Sequence, residues 1–374
     1  MNVIVYTQLM HDCLIIGGGV IGLSLAYELA TRLRRVCVLE RAEPGRAASW
    51  AGAGMLPPGS HLSADPVEVF CHWSNDLHVD WAARLRAETG IDTGYRHSGA
   101  IYVARQETAA AQLIATAARA RQEGISFDEL SPGDVAQLEP ALNTAGLLAA
   151  FHARDECQLR NPWHMQALEA ACLKRGVQIF AHTSVNQIQR DGETIVGVQT
   201  SGGEFRAEQY CIAGGAWSAE IAAGLGVKLS LKPIRGQIAL LRTAQPLLKH
   251  IVNEGPRYLV PREDGRVLVG STMEDVGFDT STTSEAIAEL LQFAHDLAPQ
   301  LAEATLEMQW AGLRPASADG QPYLGRLPGT NNGFIAAGHT RGGLHLAPAT
   351  AVAMAQIMSD EEPTVDLSPF RVNR

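Results

Sequence analysis

The run Gly17-Gly18-Gly19-Val20-Ile21-Gly22 constrains this chain more than any other stretch, because it follows the apolar segment Cys13 to Ile16 directly and opens a helical pattern. A G-x-G-x-x-G run in that context is the turn of a strand–helix–strand unit that binds a dinucleotide. The apolar spacing of Val20, Leu23, Tyr27 and Ala30, flanked by Ile21, Leu25 and Leu29, predicts the helix, and Val36 to Leu39 the second strand. Each glycine has its own task. Gly17 permits the tight turn, Gly19 lets a pyrophosphate approach the backbone at the helix N-terminus, and Gly22 lets helix and strand pack closely. Glu40 closes the second strand, where a carboxylate accepts hydrogen bonds from a ribose diol, so a 2′-phosphorylated ribose, and with it NADP, is disfavoured. The unit alone does not choose between FAD and NAD, which share the ADP moiety.

A length of 374 residues allows two domains. The net charge of −10 speaks against a nucleic-acid partner, since neutralising phosphates takes clustered Lys and Arg. The densest basic group, Arg32, Arg34 and Arg35, falls at a predicted helix end, where cations complement the dipole. The cysteines Cys13, Cys37, Cys71, Cys157, Cys172 and Cys211 form no C-x-x-C pair, so neither a metal site nor a disulfide framework is signalled, as in a reduced, cytoplasmic protein. The opening MNVIVYTQLM carries no export pattern, and nowhere do about 18 apolar residues run together, so no membrane span is expected.

After Glu40 and Arg41 comes Arg46-Ala47-Ala48-Ser49-Trp50-Ala51-Gly52-Ala53-Gly54-Met55, a stretch with almost no side-chain bulk. The middle of the chain reads as a helix from Asn161-Pro162-Trp163, then strands with hairpin signals at Asp191-Gly192 and Ser201-Gly202-Gly203, then a strand entering Gly214-Gly215-Ala216-Trp217. Tyr258 to Arg262 and Val269 to Met273 alternate around Glu263-Asp264-Gly265 as a hairpin. Trp310 to Pro315 and the glycine-rich Gly338-His339-Thr340-Arg341-Gly342-Gly343-Leu344-His345 follow.

In this order, from about His11 to Met358, the motifs resemble the D-amino-acid oxidase superfamily of FAD-dependent oxidoreductases, and within it the glycine oxidases of thiamine biosynthesis. The resemblance implies non-covalently bound FAD. The loop with Ala48, Ser49, Ala53, Gly54 and Met55 would wrap the cofactor, as would Val20, Ile21, Arg41 and Gly214, with the Val185 backbone at the adenine. The turn His339 to His345 would be the last flavin contact, leading into a helix whose positive end favours an anionic reduced flavin. Arg314 and Tyr258 would be the catalytic pair that docks the substrate carboxylate, with Met55, Met273 and Arg341 lining the pocket. A guanidinium suits that task because it pairs a carboxylate through two parallel hydrogen bonds. Thr340, Gly342 and Pro256 depart from residues common in the family, which bears on the breadth of substrate choice.

The expected fold class is α/β, or α+β in two domains. A Rossmann-like FAD/NAD(P)-binding domain would comprise 1–94, 156–229 and 308–374, and a mainly antiparallel sheet domain for substrate 95–155 and 230–307. The implied reaction is oxidative deamination of glycine, sarcosine, D-alanine, D-proline or similar small amines. It yields an imine or 2-oxo acid, ammonia and, with molecular oxygen as acceptor, hydrogen peroxide, and it would serve thiazole synthesis for thiamine. The resemblance further implies a homotetramer. Two other readings fit the same residues: a dehydrogenase that passes electrons to an acceptor other than oxygen, and a non-catalytic subunit that only binds FAD, which the presence of both Arg314 and Tyr258 disfavours.

Overall fold

The computed structural model describes residues 10–32 and 34–374, so the reading of the first nine residues as free of an export pattern lies outside the described residues. Strand β1 (His11–Ile16) leads through the glycine turn into helix α1 (Val20–Thr31) and on to strand β2 (Val36–Leu39), which pairs parallel to β1. The pair sits centrally in a six-stranded sheet whose order is Tyr323–Arg326, Gly333–Ala337, Ala207–Ile212, β1, β2, Gln178–Phe180. All neighbours are parallel except Tyr323–Arg326, which runs antiparallel at the edge.

Side chains alternate across a strand, and the two faces of this sheet have different partners. Cys13, Ile15, Val36 and Val38 pack beneath α1 and the helices Pro66–Thr89, Asn161–Lys174 and Gly343–Met358. Leu14, Ile16, Cys37 and Leu39 pack instead with Ile188, Val198 and Phe205 of a three-stranded antiparallel sheet formed by Val185–Asp191, Thr194–Thr200 and Gly203–Phe205. Burial on both faces explains why these strands read as continuous apolar runs.

A second sheet has eight strands, ordered Thr305–Ser317, Leu231–Arg242, Arg266–Gly270, Arg257–Pro261, Ile251–Glu254, Ala100–Ala104, Ala149–Ala153, Phe127–Glu129. It is antiparallel apart from the junction of Ile251–Glu254 with Ala100–Ala104. Helix Ser284–Leu297 covers one face, burying Ile287, Leu290, Ala294 and Leu297 against Leu259, Val267 and Val269. Tyr258, Val260 and Leu268 point the other way, toward Ala53 and Met55. The period-two alternation of the hairpin thus delivers Tyr258 to the glycine-rich loops. The fold is mixed α/β with a Rossmann-like sheet and a mainly antiparallel one. Strand Thr305–Ser317 extends beyond the expected boundary at 307, because it stays paired with Leu231–Arg242 as far as Ser317 and so carries Arg314 on the large sheet. No described helix is long and apolar enough to cross a membrane.

Candidate cofactor and substrate site

A cavity of about 470 Å³ lies where the C-terminal ends of β1, Ala207–Ile212 and Gly333–Ala337 meet the face of the large sheet that bears Tyr258. Ligands of open α/β sheets bind beyond the carboxyl ends of the strands, and a cavity of this size suits a cofactor.

At the N-terminus of α1 the glycines are required by contact. A Cβ on Gly17, whose φ is +117°, would stand 2.4 Å from the Ala213 carbonyl oxygen, and one on Gly22 would stand 1.9 Å from that of Gly17. Gly22 therefore lies behind the cavity, packing helix on turn, while Gly17, Gly19, Val20 and Ile21 line it. The N-cap Gly19 has no side chain to satisfy the first-turn N–H groups, and the Val20 N–H donates to Ser49 Oγ at 2.8 Å. Glu40 accepts from the Gly18 N–H at 2.8 Å and the Ala42 N–H at 2.9 Å. A carboxylate has about four acceptor sites, so about half remain for a ribose diol. Arg41 lines the cavity with its guanidinium 3.3 Å over the Trp217 ring, and Arg46, Val185 and Gly214 line it too. First-turn amides that the N-cap residue leaves uncapped, nearby guanidiniums and an acid at the end of β2 are what a dinucleotide requires.

The small-residue loop is held from behind. Asn161 Nδ2 donates to the Ser49 carbonyl at 2.7 Å, Trp310 Nε1 to the Ala51 carbonyl at 3.0 Å, and Arg262 to the Ala53 carbonyl at 2.8 Å. Arg262 is buried and donates further to Leu159 and Gln158, and burial pulls its pKa down to about 9. All three stand in stretches that the sequence singles out, yet nothing local marks them as braces of this loop. The loop they fix presents Ala48, Ser49, Ala53, Gly54 and Met55 to the cavity.

At the opposite wall, His339, Thr340, Arg341, Gly343, Leu344 and His345 line the cavity, while Gly342 is the N-cap of helix Gly343–Met358 and stands just outside it. His339 and His345 are buried, and desolvation holds both near pKa 3, so both rings are neutral at physiological pH. His339 Nε2 lies 3.0 Å from Thr350 Oγ1.

Arg314 and Tyr258 meet at the end of the cavity formed by the large sheet. The Arg314 guanidinium lies flat on Gly236, where a Cβ would come within 2.2 Å of it, and donates to Ser271 Oγ at 2.6 Å and the Thr272 carbonyl at 3.2 Å. Burial, followed by repulsion from Arg341, lowers its pKa, and no protein carboxylate pairs with it among the described residues. Tyr258 is buried with its ring over Gly270, where a Cβ would lie 2.5 Å from the hydroxyl. Two glycines, Gly236 and Gly270, thus make room for the two substrate-docking candidates.

Met273 departs from its expected place. It is 59% exposed and does not line the cavity. Its neighbour Glu274 is pulled back onto the sheet by two backbone hydrogen bonds with Arg235 and by an ion pair to the same guanidinium, which turns Met273 outward. Among the described residues no group of His, Cys, Asp or Glu is arranged to hold a metal ion.

Comparisons with known proteins bear on the family and the fold. Residues 12–357 match the family model described as FAD dependent oxidoreductase. The chain is 37% identical over 359 residues to glycine oxidase of Pseudomonas aeruginosa, covering 95% of this chain and 97% of that one. The crystal structure of glycine oxidase from Geobacillus kaustophilus superposes with a TM-score of 0.94 at 35% identity, over 98% of this chain and 99% of the other. The bifunctional protein ThiO/ThiG of Synechocystis is 35% identical over 376 residues, spanning 98% of this chain and 54% of that protein.

Proposed function

We propose that this chain, which belongs to the FAD-dependent oxidoreductase family, is an amino-acid oxidase that deaminates glycine and other small amines such as sarcosine, D-alanine or D-proline. The observation that carries the reading is the pair Arg314 and Tyr258. A half-buried guanidinium with no acid partner among the described residues, and a buried phenol beside it, face the cavity that the glycine loops of α1 also face. A cation partly withdrawn from water without an anion invites one. A substrate carboxylate supplies it, and the planar fork fixes which Cα–H is presented. Bound FAD supplies the hydride acceptor. The protein holds the carboxylate, keeps the buried His339 neutral and excludes water with the loop braced by Asn161, Trp310 and Arg262. No side chain need take the amine proton if the amine arrives deprotonated, because orientation is what the protein contributes.

The products on this reading are an imine, or a 2-oxo acid and ammonia after hydrolysis, with oxygen reduced to hydrogen peroxide. The similarity to a bifunctional ThiO/ThiG protein supports delivery of the glycine imine to thiazole assembly. The test is a peroxide-coupled assay of the yellow holoenzyme across glycine, sarcosine, D-alanine and D-proline, repeated with Arg314→Ala and Arg314→Lys. A charge-assisted pair contributes about 1.5–3 kcal/mol, so the alanine variant should raise the glycine KM by about tenfold or more, with lysine in between. An unchanged KM would refute the docking. Turnover without peroxide, sustained anaerobically by a dye, would replace the oxidase by a dehydrogenase.

A further inference from the structure

The N-terminal turn of helix Gly343–Met358, which lines the cavity, does not hold itself in place. Pro348 stands inside this helix and has no N–H, so the Leu344 carbonyl one turn earlier loses its helical partner. The long helix Pro66–Thr89 crosses at this point and compensates. His78 is 2% exposed, its Nε2 lies 2.9 Å from the His345 carbonyl, and its ring also bonds toward the carbonyl of Leu344. Ser74, fully buried, donates its hydroxyl to the same His345 carbonyl at 2.6 Å and accepts loosely from the Ala349 N–H at 3.5 Å. A side chain is thereby worked into the helical ladder, a recognised cause of local bending. Asn75 Oδ1 meets His345 Nε2 at 2.8 Å, while Asn75 Nδ2 donates to the Pro57 carbonyl at 2.9 Å, just beyond the loop that ends in Met55.

Three side chains from one turn of one helix therefore grip a single residue, His345, by its carbonyl and by its ring. Bare capping does not demand this arrangement, since the helix N-terminus itself has no side-chain cap. What the grip determines is the height and tilt of the first-turn N–H groups at the cavity wall. A helix N-terminus carries roughly half a positive charge, and its effect falls off within a turn. A small displacement there would change how strongly negative charge on a bound flavin is stabilised.

We propose that Ser74, Asn75 and His78 are positioning residues for the cofactor, which fix the first turn of helix Gly343–Met358 through His345 and so set the reduction potential of bound FAD. Histidine suits the position because it stays neutral: burial holds its pKa down to about 4, so it donates one N–H without bringing a charge beside the helix dipole. The other titratable groups facing it, His164 and His345, are likewise held near 3 by burial, so the clamp does not change charge in the neutral range.

The experiment is a dye-equilibration titration of the flavin midpoint potential, together with the affinity for sulfite, in holoenzyme carrying His78→Leu, His78→Gln or Ser74→Ala. Sulfite probes the same site because its flavin adduct is anionic. His78→Leu should weaken sulfite binding about tenfold and lower the two-electron potential by the equivalent, about 30 mV. His78→Gln keeps a donor and should stay within threefold of the parent. Ser74→Ala changes little volume and supplies the same measurement should His78→Leu fail to fold; it should shift both readouts in the same direction. A variant that loses thermal stability yet keeps the parent's potential and sulfite affinity shows a structural brace only and overturns the proposal. The readouts are taken with no amino acid present, so they stand or fall separately from the role of Arg314.

Discussion

Replacing Glu156 by glutamine should reduce the stability that the protein loses as pH rises from about 5 to 7. Glu156 sits between strand Ala149–Ala153 and the short strand Cys157–Gln158, is 1% exposed, and its Oε2 accepts the Tyr102 hydroxyl at 2.6 Å. Burial raises its pKa to about 7 from the ordinary 4.5, with the Tyr102 bond pulling the other way. A carboxyl that holds its proton more tightly folded than unfolded costs nothing below the unfolded value. It then destabilises the fold progressively as pH climbs to the folded value. At about 1.4 kcal/mol per tenfold change in proton affinity, the interval from 4.5 to about 7 amounts to about 3 kcal/mol. Glu156→Gln keeps an acceptor for Tyr102 and removes the titration. Urea unfolding of the FAD-saturated enzyme, at intervals from pH 5 to pH 8, should show the parent losing about 2–3 kcal/mol relative to the variant, with most of the difference gained below pH 7. Two stability curves that run parallel across that range would mean that Glu156 is already ionised in the folded protein and that the burial argument is wrong.

Two further outcomes follow from the site. Met273→Ala should leave the glycine KM within about twofold of the parent, because a side chain 59% exposed and turned away by the Glu274–Arg235 pair has little contact to lose; a tenfold rise would show that this loop swings inward over bound substrate. Asn161→Ala should weaken FAD binding about tenfold in a flavin-fluorescence titration of the apoprotein, since the loop would lose the buried 2.7 Å hydrogen bond to the Ser49 carbonyl, a change of about 1–2 kcal/mol. An unaltered dissociation constant would assign the loop's rigidity to Arg262 and Trp310 alone.

What was legible from residues alone has a common physical cause. The β1–α1–β2 unit, the Asp191-Gly192 hairpin and the hairpin around Gly265 are local structures whose turns demand glycine, with φ of +117°, +58° and +80° at Gly17, Gly192 and Gly265. Periodicity then places their neighbours, which is how Tyr258 and Leu259 come to face opposite sides of one sheet. Met273, placed in the pocket by the resemblance and not by periodicity, stands outside it here. Its neighbours in sequence are compatible with an inward side chain, and only the pairing of Glu274 with Arg235, 39 positions away, turns it out.

The same limit hid the groups that hold the site rigid. Arg262 reads as an ordinary polar end to a hairpin, yet its three acceptors lie in Ala53, Gln158 and Leu159, more than 100 positions away. Ser74, Asn75 and His78 read as polar residues on a helix, and they become informative only when His345, some 270 positions later, is seen to lie against them, beside the Leu344 carbonyl that Pro348 leaves without a helical partner and toward which His78 bonds. Residues that contact a ligand tend to carry constraints written into their own neighbourhood: glycine for approach, an acid for a diol, arginine for a carboxylate. Residues that hold those contacts in place answer to a missing or surplus hydrogen-bonding group elsewhere in the chain. A buried polar side chain on a helix that crosses a proline-containing helix is therefore where supporting residues of such a site should be sought, because a carbonyl stripped of its N–H must find another donor.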